Sequence, residues 1–196
     1  MRDIEIVTQT QSDLTTLSDL KAYLGIDNSD SDTELETLIK SVSAFIQNET
    51  DQQIVETEYK EYIDGEYTES IVLSQKPIIS VESLTIDDEE ETDYYLYKKS
   101  GIIKRKSVGF NIWPDDNPKY RFPEGKQNIV IEYTAGYSEI PYDLQKAVWD
   151  IIKSARERKD YAGLSKYTIG DESITWSKGA VPSEAMDTIM NYKSVI

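Results

Sequence analysis

The sequence has no cysteine and no histidine among its 196 residues. Disulfides, thiolate nucleophiles, Cys/His zinc sites and imidazole acid–base catalysis are thereby excluded. No apolar run approaches the roughly 20 residues needed to span a bilayer, so no membrane partner is expected. The opening Met1-Arg2-Asp3-Ile4-Glu5 lacks the basic-then-apolar pattern of a signal peptide. The expectation is a protein made and kept in a cytoplasm, or packaged from one. Gly-rich phosphate loops and internal repeats are also missing. Positive charge is scarce in one half: residues 1–100 hold 24 Asp and Glu against 7 Lys and Arg, whereas residues 101–196 are nearly balanced. With a net charge of −16 the chain repels phosphate backbones, which argues against tight nucleic-acid binding.

What is present is globular: 38% apolar residues and 14 Tyr against 3 Phe. Residues 1–12 read as a polar arm. Leu17, Leu20, Tyr23 and Leu24 share one helical face, with Thr16 or Ser18 as cap and Gly25 at the end. Ser31-Asp32-Thr33-Glu34 fits a capping box. Leu35, Leu38, Ile39, Val42, Phe45 and Ile46 then form one apolar stripe. Beyond Ile54 the period changes to that of strands. Glu58–Ile63 and Tyr67–Leu73 read as a hairpin on Asp64-Gly65. Ser80–Ile86, Tyr94–Tyr97, Ile102-Ile103 and Asn128–Thr134 read as further strands, and 107–125 as a long surface loop. Pro141 opens a third helix with Leu144, Ala147, Val148, Ile151, Ile152 and Ala155 inward. Tyr167–Trp176 reads as a small hairpin, and Pro182 starts a last short helix.

The expected fold class is α+β: a small bundle of about four helices with an inserted antiparallel β region between the second and third. The expected layout is one domain over residues 1–196. It comprises N-terminal helices (13–52), a β insertion (54–137), a core helix (138–164) and a C-terminal hairpin and helix (165–196).

Each candidate site has a plainer rival. Asp27–Glu34 is acidic enough for a Ca²⁺ loop, but Asp32 and Leu38 stand where the EF-hand needs Gly and Glu, so a turn and helix cap are preferred. Asp87–Glu91 reads as a solvated tip. No carboxylate pair is set in an apolar cleft, so no hydrolase chemistry, cofactor or metal is expected. Lys98, Lys99, Lys104, Arg105 and Lys106 put five cations within nine residues beside Tyr95 and Tyr97. They read either as a partner- or DNA-proximal patch or as lysines guarding a sheet edge against aggregation.

Three stretches resemble the head–tail connector (adaptor) family of tailed bacteriophages: Leu17–Ile26 with the helix that follows, Ile129–Tyr137 leading through Ile140-Pro141 to Ala147, and the last amphipathic helix ending Asn191-Tyr192-Lys193. The resemblance implies a structural protein without catalytic residues. Its implied partners are the portal protein, neighbouring copies in a dodecameric ring, a stopper or tail-completion protein, and genomic DNA passing through the channel without sequence-specific binding. Its place would be the head–tail junction of the virion. Met186, Ile189, Met190, Tyr192, Val195 and Ile196 are then the expected portal-docking residues. Removing Val181–Ile196 is expected to abolish docking with little change in melting temperature. The alternative is an acidic intracellular binding or regulatory module of a bacterium.

Overall fold

The computed structural model describes residues 2–9, 12–106, 120–159 and 181–193. The hairpin expected at Tyr167–Trp176 lies outside them, as do Val195, Ile196 and most of the 107–125 loop. The chain forms two compact units, each built from two stretches: Met1–Thr10 with Glu56–Tyr137, and Gln11–Val55 with Ser138–Ile196.

The first unit holds eight strands among its described residues: β1 (Arg2–Gln9), β2 (Thr57–Gly65), β3 (Ser70–Val72), β4 (Ile78–Ile86), β5 (Glu89–Glu90), β6 (Tyr94–Tyr97), β7 (Ile102–Arg105) and β8 (Gly125–Ala135). They make a five-stranded sheet in the order β1-β2-β8-β4-β5 and a three-stranded sheet in the order β3-β7-β6, all pairs antiparallel. One row across the large sheet shows the logic: Ile63, Ile129 and Ile86 are register partners, and all three are buried. Tyr59, Ile131, Tyr133 and Leu84 continue that inner face. Ile71 of β3 and Ile103 of β7 join the same core from the second sheet, together with Leu73 and Phe122. Two β-sheet faces thus bury each other's alternate residues.

The second unit holds four helices among its described residues: α1 (Leu17–Leu24), α2 (Asp32–Thr50), α3 (Tyr142–Lys159) and α4 (Ser183–Met190). Thr16 caps α1, accepting the Asp19 N–H at 3.1 Å. Gly25 ends it at φ 67°, a left-handed conformation that glycine adopts without steric cost. The hydroxyl of Ser31 makes no capping bond at α2, so the expected hydroxyl cap does not form there. Lys21 Nζ reaches Asp32 Oδ1 at 2.6 Å at that end. The six-residue stripe of α2 is buried, as are Leu144, Ala147, Val148, Ile151, Ile152 and Ala155 of α3. Of the expected α1 face, Leu20 alone is fully buried; Tyr23 is exposed.

The expected helical bundle with a β insertion is therefore corrected. The described residues form two antiparallel sheets with their own core, and the strands begin before the first helix. The expected arm is β1. Ile4 and Ile6 alternate with Asp3 and Glu5 at the period of a strand, but every residue of β1 is exposed, so its composition is that of a polar tail. The expected hairpin on Asp64-Gly65 is also corrected. β2 pairs with β1 and β8, whereas Ser70–Val72 crosses to the other sheet and pairs with β7. An Asp-Gly step is a local signal, and it does not choose the partner of the strand that follows.

Candidate functional site

Three places in the molecule bear on function. The first is the outer face of the three-stranded sheet. Tyr94 and Leu96 of β6 pack on the core, which turns Tyr95 and Tyr97 outward, each 52% exposed. Tyr95 is the register partner of Lys104, and Tyr97 of Ile102. Ser70 and Val72 continue the two rows on β3. The result is an exposed patch of Val72, Tyr95 and Tyr97 around the half-buried Ile102.

The five cations expected at this place divide. Arg105 is half-buried: it pairs with Glu91 and donates from Nη1 to the Arg121 carbonyl at 3.1 Å. Lys104 Nζ lies 3.2 Å from Glu69 Oε2. Lys106 Nζ stands 5.5 Å from the Tyr95 ring centre, a cation–π distance. Lys98 donates to the Ile79 carbonyl, and Lys99 is exposed. Lys98, Lys99, Lys104 and Lys106 thus fringe the aromatic patch, whereas Arg105 fastens β7 to neighbouring loops.

The second place is a buried carboxylate that the sequence did not reveal. Glu61 of β2 is 0% exposed. Its carboxylate accepts from Tyr133 Oη at 2.7 Å, from Ser74 Oγ at 2.7 Å and from the Ser74 N–H at 3.1 Å. Arg2 Nε of β1 lies 3.1 Å away. A buried carboxylate needs this many donors to offset its lost hydration. The donors come from β1, from β8 and from the residues after β3, so the charge joins three chain segments.

Burial and the nearby Glu61 charge push Tyr133 above the ordinary tyrosine value, and burial raises Tyr59 to about 12. Both groups hold their protons longer when folded. Their contribution is complete below about pH 10, where an unfolded tyrosine ionises, and falls as pH rises through the folded values. Unfolding free energy is expected to drop steeply between about pH 10 and about pH 12. Denaturant titrations across that range check it: Tyr59→Phe should flatten the drop, and equal slopes in wild type and variant would contradict the assignment.

The third place is α4 and the outer surface of α3. Ala185 and Ile189 are buried, and α4 packs on α3 and α2. Met186 and Met190 are half-exposed. The Tyr192 hydroxyl donates to Asp143, 2.7 Å from Oδ1 and 2.9 Å from Oδ2, which fixes the end of the helix. On α3, Trp149 stacks on Tyr23 at 5.1 Å between ring centres and meets the edge of Tyr142 at 5.6 Å. The Tyr23 hydroxyl donates to Asp150 Oδ1 at 2.6 Å; this bond, together with burial, raises the Tyr23 pKa. The seven-residue spacing of Tyr142 and Trp149 was the available signal for this group.

Residues 13–195, nearly the whole chain, match the sequence profile of the head completion protein family. The chain belongs to the head completion protein family. As a head completion protein it has a structural role in a phage head–tail connector, and the alternative of a bacterial regulatory module is set aside. No curated protein sequence matches it. Solved structures do. A chain of the neck of the empty gene transfer agent particle, computed with C6 symmetry, is 16% identical with a TM-score of 0.62, covering 99% of this chain and 96% of that one. A chain of the virion of the native particle is 15% identical with a TM-score of 0.60, covering 98% and 96%. A chain of the native neck, computed with C12 symmetry, is 15% identical with a TM-score of 0.58, covering 99% and 96%. At this identity the likeness is one of fold.

Proposed function

We propose that this head completion protein forms a ring at the head–tail junction of the virion, beneath the portal. The ring extends the DNA channel and joins the head to a stopper or tail protein, and it catalyses nothing. The observation that carries the reading is the family match over residues 13–195. Chains of the same fold in particle necks computed with C6 and C12 symmetry support it. So does the net charge of −16, which suits a conduit through which DNA slides without binding. Residues 1–196 act as a single adaptor domain, and a dodecamer matches the portal.

The portal-facing element is the C-terminal segment, from Met186, Met190 and Tyr192 on to Val195 and Ile196. Ile189, grouped with them from the sequence, is buried under α4 and supports the helix instead. Removing Val181–Ile196 also removes buried Val181, Ala185 and Ile189, so it is expected to cost stability and cannot test docking.

The test mixes the protein with purified portal and counts copies by mass photometry and electron microscopy. A saturating twelvefold complex is expected. A saturating one-to-one complex would overturn the ring. Met186→Ser with Met190→Ser should weaken portal binding about tenfold or more, the loss of two apolar contacts, while the melting temperature stays within a few degrees. Unchanged affinity would place the docking surface elsewhere.

A further inference from the structure

β1 is held to its sheet mainly through its backbone. It lies at the edge of the large sheet, outside β2. Its register runs from Arg2 opposite Ile63 to Gln9 opposite Thr57, with a shift between Ile6 and Thr8. Yet all eight of its residues are exposed, Ile4 by 37%, Ile6 by 53% and Val7 by 58%. A strand that buries no side chain completely draws little from the hydrophobic effect. Arg2 Nε adds the ion pair to Glu61 Oε1 at 3.1 Å.

The place that receives β1 stays satisfied without it. When Arg2 is withdrawn, Glu61 still accepts from Tyr133 Oη, Ser74 Oγ and the Ser74 N–H, so the buried carboxylate keeps three donors. β1 is also set apart along the chain. Met1–Thr10 belongs to the first unit, but the chain enters the second at Gln11 and returns only at Glu56. β1 and β2 are therefore linked through α1 and α2, and no tight turn obliges them to pair within one copy.

We infer that in the ring β1 of each copy leaves its own sheet and pairs with β2 of the next copy. The register is the one described, so the exchanged strand recovers the contacts it gave up. Arg2 of one copy then completes the buried Glu61 site of its neighbour. Exchange of an identical element is a low-cost route to association. Donor strand and acceptor edge are different surfaces, so the contact is heterologous and repeats from copy to copy. An open row of copies leaves one β2 edge uncovered, whereas a closed ring leaves none. The contacts are the same in the free and exchanged states, so the portal decides between them by holding copies at high local concentration. Gln9 and the buried Leu14 are five residues apart, so the accepting edge must come within about 17 Å of Leu14. The inference rests on the ring reading above and names the strand through which the ring is made.

The absence of native cysteine makes crosslinking clean. Glu5 and Lys60 stand opposite each other on β1 and β2, within disulfide reach for an opposed pair. In the double variant Glu5→Cys/Lys60→Cys, mild oxidation of the free protein is expected to give a disulfide within one copy. Oxidation of the portal-bound assembly is expected to give a covalent ladder. Portal-bound rings without a ladder would overturn the exchange and leave the ring reading standing. Thiols that fail to react in the free protein would overturn it too, because the two strands would not pair as described. Locking gives a second readout. Protein oxidised before mixing cannot release β1, so it should need an at least tenfold higher concentration to form rings on the portal. Dithiothreitol should restore assembly. Asp3→Cys/Tyr62→Cys, the adjacent opposed pair, is a second lock and should behave alike. Locked protein that forms rings as readily as reduced protein would overturn the exchange. A wild type that never multimerises on the portal would overturn both.

Discussion

Replacing Glu61 with alanine is expected to lower the unfolding free energy by about 3–5 kcal/mol, the range for removing one partner of a buried charged network. The cost comes less from the lost carboxylate than from what it leaves behind. Tyr133 Oη, Ser74 Oγ and the Ser74 N–H all donate to Glu61, and Tyr133 is itself buried. A buried donor without an acceptor carries its full desolvation penalty. Arg2 also loses its ion pair, so β1 should loosen from the sheet before the rest unfolds. Glu61→Gln retains the shape and one acceptor oxygen, so it should cost clearly less. Urea titrations of the two variants measure the difference, and hydrogen exchange at Asp3–Thr8 reports on β1. If Glu61→Ala were within 1 kcal/mol of wild type, the carboxylate would not be the joint described here.

The second large effect is expected at Gly65. A methyl group built on its Cα would stand 1.7 Å from the Pro123 carbonyl oxygen and 2.9 Å from Asn128 Oδ1. The first neighbour is backbone and cannot rotate away. The Gly65 N–H also donates to Asn128 Oδ1 at 2.9 Å, and Asn128 Nδ2 donates to the Pro123 carbonyl at 3.2 Å, so any shift disturbs two hydrogen bonds. Gly65→Ala should therefore reach about 3 kcal/mol or more, the upper end of overpacking costs. Gly125→Ala is the comparison. The three atoms nearest its added methyl all belong to the Asn128 side chain, the first at 2.5 Å, and a side chain yields at less cost than backbone even where it gives up hydrogen bonds. Thermal melts should rank wild type above Gly125→Ala and Gly125→Ala above Gly65→Ala. The reverse order would mean that the β2–β8 end is paired differently.

Legibility in the sequence followed the range of the interaction. The stripe from Leu35 to Ile46 and the alternation of Ile129, Ile131 and Tyr133 were readable because one periodicity decides which side is buried. β1 has a strand's alternation too, but its partner β2 begins at Thr57, and nothing local says that a distant strand will take it up. Glu61 sits between Tyr59 and Ile63 at a core position of β2, where a sequence pattern reads a carboxylate as a break in the alternation. Its burial is explained by Arg2, Ser74 and Tyr133, which only the fold brings together. The lysine fringe was visible as a cluster. Separating Arg105 from it required the register of β6 on β7. On α4 the stripe of Ala185, Met186, Ile189 and Met190 was legible as a stripe, but its division into buried and half-exposed members is a matter of packing.

The interleaving of the two units has a consequence for how the chain acquires its shape. β1 is synthesised first, yet Arg2 must wait for Ile63, and β2 in turn waits for β8, which ends at Ala135. Emerging from a ribosome, the α1–α2 pair can form from local contacts while the first strand still has nothing to pair with. The helical unit has the same dependence in reverse, because α3 and α4 arrive only after the sheets are complete. No contiguous fragment is either unit by itself: a cut at Glu56 would take β1 from one and α1 and α2 from the other.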